Sequence, residues 1–551
     1  NILRMILIGS NMTKIIAISL LGILLIASNS CKKITNPNNN GEVKDTLSYD
    51  FLTTRVFIEF VDANTNQHIK SNGSDRLKVE LKGDSKDAIA DIIGLQKEIY
   101  YPENGFISFG ILPEYNPSIS SPINFILIAS INNYLMISRD IKISEVGDYY
   151  VKISMVNLDD PPEGIMVKKV EGVGNLYDGF LHDDVEISTE NEEAKITIHG
   201  GTRLLNSDTN NLNGKLNISL FYYNLNFDPS FESFSGGIIG NIEEHNSIEN
   251  ALFYPGGYVT IKVYDSDGKE GAFIESKSID LFVNIASELT NLKTGLSYQS
   301  GDIINLISYD DNAGTWIYEK SDTVKIDANG ILYVNTTTAS LNNISLSNYK
   351  INSCDDASGF NITGNCQQDQ TIQLSGILRK SDDDSFISDI TLVGNKSEEL
   401  YFSGNIGNNS VYIDWLPITV GCKINPSYNP TTIENMCLGP GVDINLMKGV
   451  GDLKSIEATF LGRCSSDTNY IILPSFGLWV KNIDAVTDWK WYSMEKGKAQ
   501  IYDLTIGQTY IFGVYFDGVW KEWRATIRED SKLDFNIEFS DGICNDVFGI
   551  F

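Results

Sequence analysis

The chain contains 551 residues, of which 42% are apolar, and it carries a formal net charge of −30 at pH 7. A chain of this length accommodates about three to five domains. The acidic balance argues against a nucleic-acid partner and against docking on anionic lipid by charge, because both require a basic surface.

The first 30 residues are typical of an export signal. Lys14 follows Met12, an apolar run covers residues 15–26, and small residues lead up to Cys31. These are the three parts of a secretory signal, so we predict a signal peptide over residues 1–30. The apolar run has about a dozen residues whereas a transmembrane helix needs roughly 20, which makes a membrane-spanning anchor the poorer interpretation.

Cys31 closes this segment in the manner of a lipobox, with Asn29 in place of the usual small residue. The continuation Cys31-Lys32-Lys33 resembles Bacteroidota-type outer-membrane lipoproteins. The resemblance implies cleavage before Cys31 and a diacylglycerol on its sulfur, which would anchor the protein to the outer membrane on either its periplasmic or its surface side. The alternative is a plain signal peptide with an incidental cysteine. Residues 31–47, rich in asparagine, are predicted to be a flexible tether.

Short β-rich runs separated by turn signals make up the rest of the chain. Residues 55–61 and 149–156 are rich in β-branched and aromatic residues, which favour strands. Pairs such as Asn104-Gly105 tolerate the positive φ angles of tight hairpins. We therefore predict an all-β chain of several tandem β-sandwich domains, with one short helix within residues 85–99.

Four globular domains are predicted after the tether. The first ends at Pro161-Pro162, where the chain cannot continue a β-ladder. The predicted domains cover residues 48–162, 163–350, 351–455 and 456–551.

Six further cysteines lie in the last two-fifths of the chain. An exported chain meets an oxidising compartment, where disulfides are the default, and the lack of a Cys-x-x-Cys pair argues against zinc or redox chemistry. Six cysteines allow fifteen pairings. We predict the sequential one, in which two bonds close short loops and the third joins the start of the last domain to its end: Cys354–Cys366, Cys422–Cys437 and Cys464–Cys544.

The last domain carries the spacing of a tyrosine corner. Residues 504–510 end in Tyr510, and a strand–turn–strand pattern follows through Asp517-Gly518 to residue 527. The pattern resembles the final hairpin of immunoglobulin-like, fibronectin-like and carboxypeptidase-regulatory-like domains. The resemblance implies a β-sandwich in which the Tyr510 hydroxyl bonds nearby backbone at the turn between sheets.

A second resemblance lies in the strand at residues 301–310 and the turn that ends in Gly314-Thr315-Trp316, followed by a hairpin at residues 326–332. The pattern resembles extracellular proteins of the cartilage-intermediate-layer type. It implies a structural ectodomain and not a catalyst.

Few residues suggest chemistry. The four histidines lack metal-pair spacing, and neither a phosphate-binding loop nor a nucleophile elbow occurs. Residues 265–270 place carboxylates at calcium-like spacing but lack the closing glutamate of a twelve-residue loop. We interpret this run as a hairpin turn, with bound calcium as the alternative. We predict no catalytic residue, no metal site and no cofactor.

Five of the seven tryptophans fall in the last domain: Trp479, Trp489, Trp491, Trp520 and Trp523. Trp489 and Trp491 are two residues apart, so on a strand they share a face, and aromatic faces stack on sugar rings. The alternative is that they fill a sandwich core or pair across strands.

These patterns predict a non-catalytic, lipid-anchored protein of the cell envelope that serves as a structural or binding ectodomain. The alternative is a surface glycan-binding lipoprotein whose binding platform contains Trp489, Trp491, Trp520 and Trp523. The expected partners are the membrane, through the lipid, and either polysaccharide or other envelope proteins.

Overall fold

A computed structural model describes most of the chain. The described residues are 33–35, 45–49, 52–71, 74–245, 247–286, 288–351, 358–364, 371–382, 384–395, 399–402, 410–416, 422–434, 441–448, 454–466, 470–485, 489–516 and 519–546.

Within these residues the chain is almost entirely β-structure, which confirms the predicted all-β fold. The helix expected in residues 85–99 is only a 3₁₀ turn, because the chain extends as a strand immediately afterwards, at Ile89–Asp91. Helical structure in the described residues consists of the α-helices Asp228–Glu232 and Asp541–Asp546 and the 3₁₀ turns Lys86–Ala88, Glu190–Glu192 and Pro426–Tyr428.

Two short strands precede the first domain, β1 (Lys33–Thr35) and β2 (Asp45–Tyr49), and they pair antiparallel. Strand β2 also runs parallel to a strand of the last domain, with Thr46 opposite Ile471. The region predicted to be a flexible tether therefore contributes to a sheet. Its polar composition does not prevent this, because the edge of a sheet offers backbone donors and acceptors to any extended segment.

The first domain is a sandwich of two four-stranded sheets. Its strands are β3 (Arg55–Asp62), β4 (Lys78–Lys82), β5 (Ile89–Asp91), β6 (Ile99–Tyr100), β7 (Phe106–Ile111), β8 (Ile123–Ser130), β9 (Ile137–Ile143) and β10 (Asp148–Met155). The sheet orders are β10-β3-β7-β5 and β6-β4-β8-β9. Phe60 and Phe109 from one sheet and Phe125 from the other share one core.

The second domain contains one ten-stranded sheet and two smaller sheets. The strands are β11 (Ile165–Tyr177), β12 (Phe180–Leu181), β13 (Val185–Ser188), β14 (Ala194–Ile198), β15 (Arg203–Leu205), β16 (Gly214–Tyr223), β17 (Ile239–Glu244), β18 (Ser247–Tyr264), β19 (Phe273–Glu275), β20 (Ile279–Asn284), β21 (Thr290–Asn291), β22 (Leu296–Ser297), β23 (Ile303–Asp310), β24 (Thr315–Thr323), β25 (Lys325–Ile326), β26 (Leu332–Thr338) and β27 (Asn342–Ile351). The large sheet has the order β17-β24-β23-β27-β18-β16-β11-β12-β15-β19, and the smaller sheets are β13-β14-β20-β26-β25 and β21-β22. Leu220 and Ile261 of the large sheet pack in one core with Ile196 and Leu281 of the five-stranded sheet.

The third domain is a sandwich of two further four-stranded sheets, β31-β28-β35-β33 and β30-β29-β32-β34. The strands are β28 (Ser358–Gly364), β29 (Thr371–Lys380), β30 (Phe386–Asn395), β31 (Glu399–Phe402), β32 (Val411–Trp415), β33 (Cys422–Ile424), β34 (Thr431–Ile433) and β35 (Val442–Lys448). Its apolar side chains belong to the same core cluster as those of the second domain.

In the last domain, a sheet that contains β1 and β2 packs against a four-stranded sheet. Its own strands are β36 (Lys454–Cys464), β37 (Tyr470–Pro474), β38 (Gly477–Asn482), β39 (Lys490–Ser493), β40 (Lys498–Leu504), β41 (Thr509–Phe516), β42 (Val519–Thr526) and β43 (Leu533–Phe539). The sheet orders are β1-β2-β37-β36-β40, with β43 beside β36, and β39-β38-β41-β42. The β41–β42 hairpin was expected to end the domain, but β43 follows it and runs parallel to β36.

The tyrosine corner of the last domain forms as predicted, with the backbone N–H of Thr505 donating to the Tyr510 hydroxyl at 3.0 Å. A second corner, missed in the sequence, lies in the first domain. There Tyr149 donates to the carbonyl of Glu145 at 2.9 Å and accepts from its N–H at 3.2 Å.

The predicted turns follow their residue chemistry. Asn104 and Gly105 adopt φ angles of 52° and 80°, and a Cβ at Gly105 would lie 2.7 Å from the carbonyl oxygen of Phe60. The Asp265 carboxylate accepts the backbone N–H groups of Asp267 and Lys269, each at 2.9 Å. Residues 265–270 therefore form the expected hairpin turn.

The Cys464–Cys544 disulfide is present, with the two Cα atoms 6.0 Å apart. It joins the end of β36 to the helix that follows β43. The other predicted bonds fall on Cys354, Cys366 and Cys437, which lie outside the described residues, and on Cys422, whose side chain is not described.

Candidate functional site

The outward face of the β3–β7 sheet is the first feature that departs from an ordinary sandwich. Both strands are buried on both faces, with only Glu59 of β3 partly accessible. Phe57 and Phe106 point away from the domain's own core, and each is fully buried against the last domain. The sequence signal for this was the near-continuous apolar run in each strand, since a sheet with one solvated face alternates apolar and polar residues.

Tryptophans of the last domain cover Phe57. The ring centroids of Trp491 and Trp479 lie 4.7 and 5.9 Å from that of Phe57. A Cβ at Gly477 would lie 2.5 Å from the Trp491 indole nitrogen and 2.6 Å from the Phe57 ring, so only glycine leaves room for both rings at this point. The contact therefore depends on backbone geometry as well as on apolar area.

A second pair of tryptophans covers Phe106. Trp520 stacks on its ring at 5.1 Å with an interplanar angle of 12°, and Trp489 meets it edge-on at 5.8 Å. Trp520 lies flat over Gly513, where a Cβ would come within 2.0 Å of the indole. We call the two tryptophan pairs, Phe57 and Phe106 together the aromatic interface.

The alternative in which Trp489, Trp491, Trp520 and Trp523 form a surface platform for sugars is wrong, whereas the interpretation that these residues are buried or pair across strands is confirmed for Trp491, which lies opposite Trp479. Trp491 is only 1% exposed. Trp489 and Trp520 are half-buried against the first domain. Trp523 is half-buried in the last domain's own core, 5.3 Å from Phe535. The expectation failed because the sequence shows which residues share a strand face but not which domain covers that face.

Hydrogen bonds and an ion pair border the aromatic interface. The Arg55 guanidinium binds both carboxylate oxygens of Asp148 at 2.7 Å and donates to the Ser493 hydroxyl at 3.0 Å. Tyr515 donates to the carbonyl of Tyr101 at 3.1 Å. These contacts fix the rotation of the last domain on the first, because hydrogen bonds are directional whereas apolar burial is not.

Glu59, between Phe57 and the first domain's edge, is a buried carboxylate with satisfied partners. It lies 2.5 Å from His68 Nε2 and accepts from the Tyr150 hydroxyl at 2.5 Å. Burial raises the pKa of Glu59, but the hydrogen bonds and charge of its neighbours outweigh burial and lower it overall. The group is a structural anion within the first domain.

A second feature is a cavity of about 130 Å³ where the first three domains meet. Arg139 and Lys152 reach it from the first domain, Glu232 from the second and Asp389 from the third. Lys152 Nζ lies 2.9 Å from the Asp389 carboxylate. Arg139 donates to the carbonyl of Glu232 at 2.6 Å. We call these four residues and the cavity the charged junction.

The carboxylates near this cavity are destabilised as anions. Burial, and after it the negative charge of Asp389, raise the pKa of Glu232 to about 7, although Lys152 and a hydrogen bond from Ser154 oppose the rise. Burial also raises the pKa of Asp140 to about 6. The charged junction therefore changes its charge within the pH range of natural environments.

One histidine elsewhere in the second domain pairs with two carboxylates near the surface. His199 lies 3.0 Å from Asp280 and 3.4 Å from Asp184, and its exposed ring has a raised pKa because both carboxylates bond it. Among the described residues, no three histidine, cysteine, aspartate or glutamate side chains are placed to hold a metal ion together. None of the helices described is long and apolar enough to cross a bilayer.

No protein-family model matches the chain, and no curated protein matches it. Among solved structures, it is similar to the full-length major pilin RrgB of Streptococcus pneumoniae, at 8% identity and a TM-score of 0.13, over 89% of this chain and 99% of that one. It is also similar to BcpA, the major pilin subunit of Bacillus cereus, at 8% identity and a TM-score of 0.13, over 88% and 99% of the two chains. The Bacillus anthracis TIE protein is similar at 10% identity and a TM-score of 0.14, over 69% and 58%. These TM-scores are too low for the similarities to carry an argument about fold or function.

Proposed function

We propose that this protein is a non-catalytic, lipid-anchored ectodomain of the cell envelope that holds several β-sandwiches as one structural unit. The observation that carries the proposal is the position of the first domain. It contacts the last domain through the aromatic interface and the second and third domains through the charged junction.

Contacts among the other domains support the same role. The backbone N–H of Trp491 donates to Gln373 of the third domain at 2.7 Å. Arg379 of the third domain donates to Asp228 of the second at 2.6 Å. Domains in one chain move relative to one another unless their interface is large and hydrophobic. Interfaces with fully buried aromatic rings and directional hydrogen bonds favour a unit that transmits force or presents a surface in a fixed orientation.

Cooperative unfolding of the full mature chain tests this role. Tryptophan fluorescence reports largely on the aromatic interface, which contains four of the seven tryptophans, and far-ultraviolet circular dichroism follows all the sheets. We expect the two thermal transitions to coincide. Two well-separated transitions in the unaltered protein would show that the domains are independent and would contradict the proposal.

Attachment through Cys31 is the second part of the proposal, and it rests on the signal-like segment that precedes this residue. The lipid would hold the protein on the outer membrane, and several acyl chains bind far more firmly than one. Mass spectrometry of the mature N-terminal peptide should find an acylated Cys31. An unmodified cysteine, or a mature chain that retains residues 15–26, would exclude lipid anchoring without affecting the structural role.

Activity assays test the proposal that the protein is not an enzyme. The purified protein is expected to leave peptides and polysaccharides intact. Turnover of either substrate that a single substitution of an acidic residue abolishes would overturn this part of the proposal.

A further inference from the structure

The β19 end of the ten-stranded sheet carries exposed aromatic side chains on one face. Tyr177 is 68% exposed, Phe180 is 42% exposed and Phe273 is 49% exposed. The strands β11, β12, β15 and β19 lie side by side there. Large apolar side chains that remain exposed together mark interaction sites more often than isolated ones do.

The strand register places these side chains in a row. Tyr177 is opposite Phe180, Phe180 is opposite Arg203, and Arg203 is opposite Glu275. Directly paired residues of an antiparallel sheet point to the same face, and Phe273, two positions before Glu275, shares it. Three inter-strand spacings make the row about 14 Å wide. We call these five side chains the aromatic row.

Hydrogen bonds hold the aromatic row in place. Asp178 and Gly179 form the tight turn between Tyr177 and Phe180, with φ angles of 53° and 80°. The Asn211 amide donates to Asp178 at 3.0 Å and its oxygen accepts from Arg203 Nε at 3.0 Å. A Cβ at Gly179 would lie 2.7 Å from that amide oxygen, so the turn packs directly on Asn211. The rings are therefore presented on a fixed frame.

Charged and polar groups alternate with the rings. The Arg203 guanidinium lies 5.7 Å from the centroid of Phe180 and 2.9 Å from the Glu275 carboxylate. The His182 ring lies 6.1 Å from that of Tyr177. Protein–protein interfaces are enriched in aromatic residues and arginine but depleted in glutamate and aspartate, and this mixture includes the carboxylates of Glu275 and Asp178. It provides aromatic faces for C–H surfaces and hydrogen-bond partners for hydroxyl groups, which is what a sugar chain requires.

We propose that the aromatic row binds a neutral polysaccharide. Tyr177, Phe180 and Phe273 stack on successive sugar faces, and Arg203, Glu275 and Asp178 bond hydroxyl groups along the chain. A neutral ligand fits because the whole chain carries a formal charge of −30, which repels anionic polymers. This site lies away from the aromatic interface, and it supplies the binding role within the proposed function.

Affinity electrophoresis of the full mature chain in gels that contain xylan, mixed-linkage β-glucan or mannan tests the site. At least one of these neutral polymers should retard the protein, and polygalacturonate should not. Tyr177→Ala and Phe180→Ala should each weaken binding roughly ten-fold, because each removes a stacking face. Tyr115→Ala removes a 40% exposed aromatic ring from a different domain, the first, and serves as the matched control.

The results of these experiments test polysaccharide binding by the aromatic row independently of the proposed structural role. Loss of retardation in Tyr177→Ala with an unchanged melting temperature supports the site. No retardation of the parent protein by any of the three neutral polymers, retardation that survives both substitutions, or retardation by polygalacturonate alone would overturn it. A concentration-dependent dimer that Tyr177→Ala dissolves would assign the row to protein contact instead. None of these results alters the coincidence of unfolding transitions, which tests the structural role.

Discussion

The first domain is joined to its neighbours by two surfaces of opposite chemistry. The aromatic interface buries Phe57, Trp479 and Trp491 almost completely. The charged junction surrounds a polar cavity with Lys152, Glu232 and Asp389. Burial of aromatic area is favourable at any pH, whereas buried charges pay a desolvation cost that only correct pairing offsets. The aromatic interface therefore stabilises the contact between domains at every pH. The stabilisation from the charged junction depends on whether its carboxylates are protonated.

The largest effect should come from breaking the aromatic interface. Trp491→Ala removes a fully buried indole and is expected to lower the free energy of unfolding by about 3–5 kcal/mol. Denaturant titration followed by circular dichroism measures the loss, and the fluorescence and circular dichroism transitions should now separate. Tyr177→Ala, at a largely exposed ring, should change stability by less than about 0.5 kcal/mol. A similarly small loss for Trp491→Ala would refute tight burial of the indole.

A smaller effect should follow from adding one methyl group at the same interface. Gly513→Ala places a Cβ within 2.0 Å of the Trp520 ring and should push that ring off Phe106. Overpacking of this kind costs about 2–3 kcal/mol. In Gly542→Ala the nearest atom to the added Cβ is 3.9 Å away, so this control should keep parental stability. Equal unfolding midpoints for the two variants would contradict the stacked geometry of Trp520.

The charged junction should respond to pH. The pKa of Glu232 is raised to about 7 in the folded protein, from about 4.3 in the unfolded chain. Its stabilising contribution is therefore complete below pH 4.3 and is lost as the pH rises through about 7. Glu232→Gln should be more stable than the parent by about 1–2 kcal/mol at pH 8 and should lose this advantage on acidification towards pH 4.3.

Unfolding curves of parent and variant at several pH values measure that difference. Glu288→Gln, on the surface of the second domain, provides the control for loss of one carboxylate. An advantage of Glu232→Gln that is constant from pH 4.3 to pH 8 would show that the Glu232 carboxylate does not change protonation in this range.

The smallest expected effect concerns the ion pair between the first and third domains. A double-mutant cycle with Lys152→Met and Asp389→Asn should give a coupling of about 0.5–1 kcal/mol that weakens in high salt. The side chains are 23% and 27% exposed. Lys498 and Glu457, with side chains 62% and 54% exposed, form the control pair and should couple more weakly. Equal coupling in both cycles would show that the junction provides no shielding from solvent.

The sequence predicted the local features of this fold well. The turn at Asn104-Gly105, the corner at Tyr510 and the Cys464–Cys544 bond each depend on a few residues within one domain. The chemistry of the turn and the corner is local, and the disulfide was one bond of the sequential pairing chosen among fifteen. Such features can be inferred before any tertiary contact is known.

The sequence could not place the tryptophans, because their environment depends on a contact between residues about 400 positions apart. Spacing showed that Trp489 and Trp491 share a strand face but not that Phe57 and Phe106 cover it. The charged junction could not be inferred from the sequence for the same reason, because its four residues come from three domains. The aromatic row was missed because Tyr177, Phe180 and Phe273 lie on separate strands whose neighbours are set by the sheet order.

The contact between Arg55 and Ser493 spans 438 positions of the chain, and this separation has a consequence for synthesis. At about 5–20 residues per second, β3 emerges roughly 20–90 s before the strand that covers it. During that interval Phe57 and Phe106 are exposed on the nascent chain. Chains that stop before residue 477 keep these rings uncovered permanently, so such fragments should depend on a holding chaperone to stay in solution.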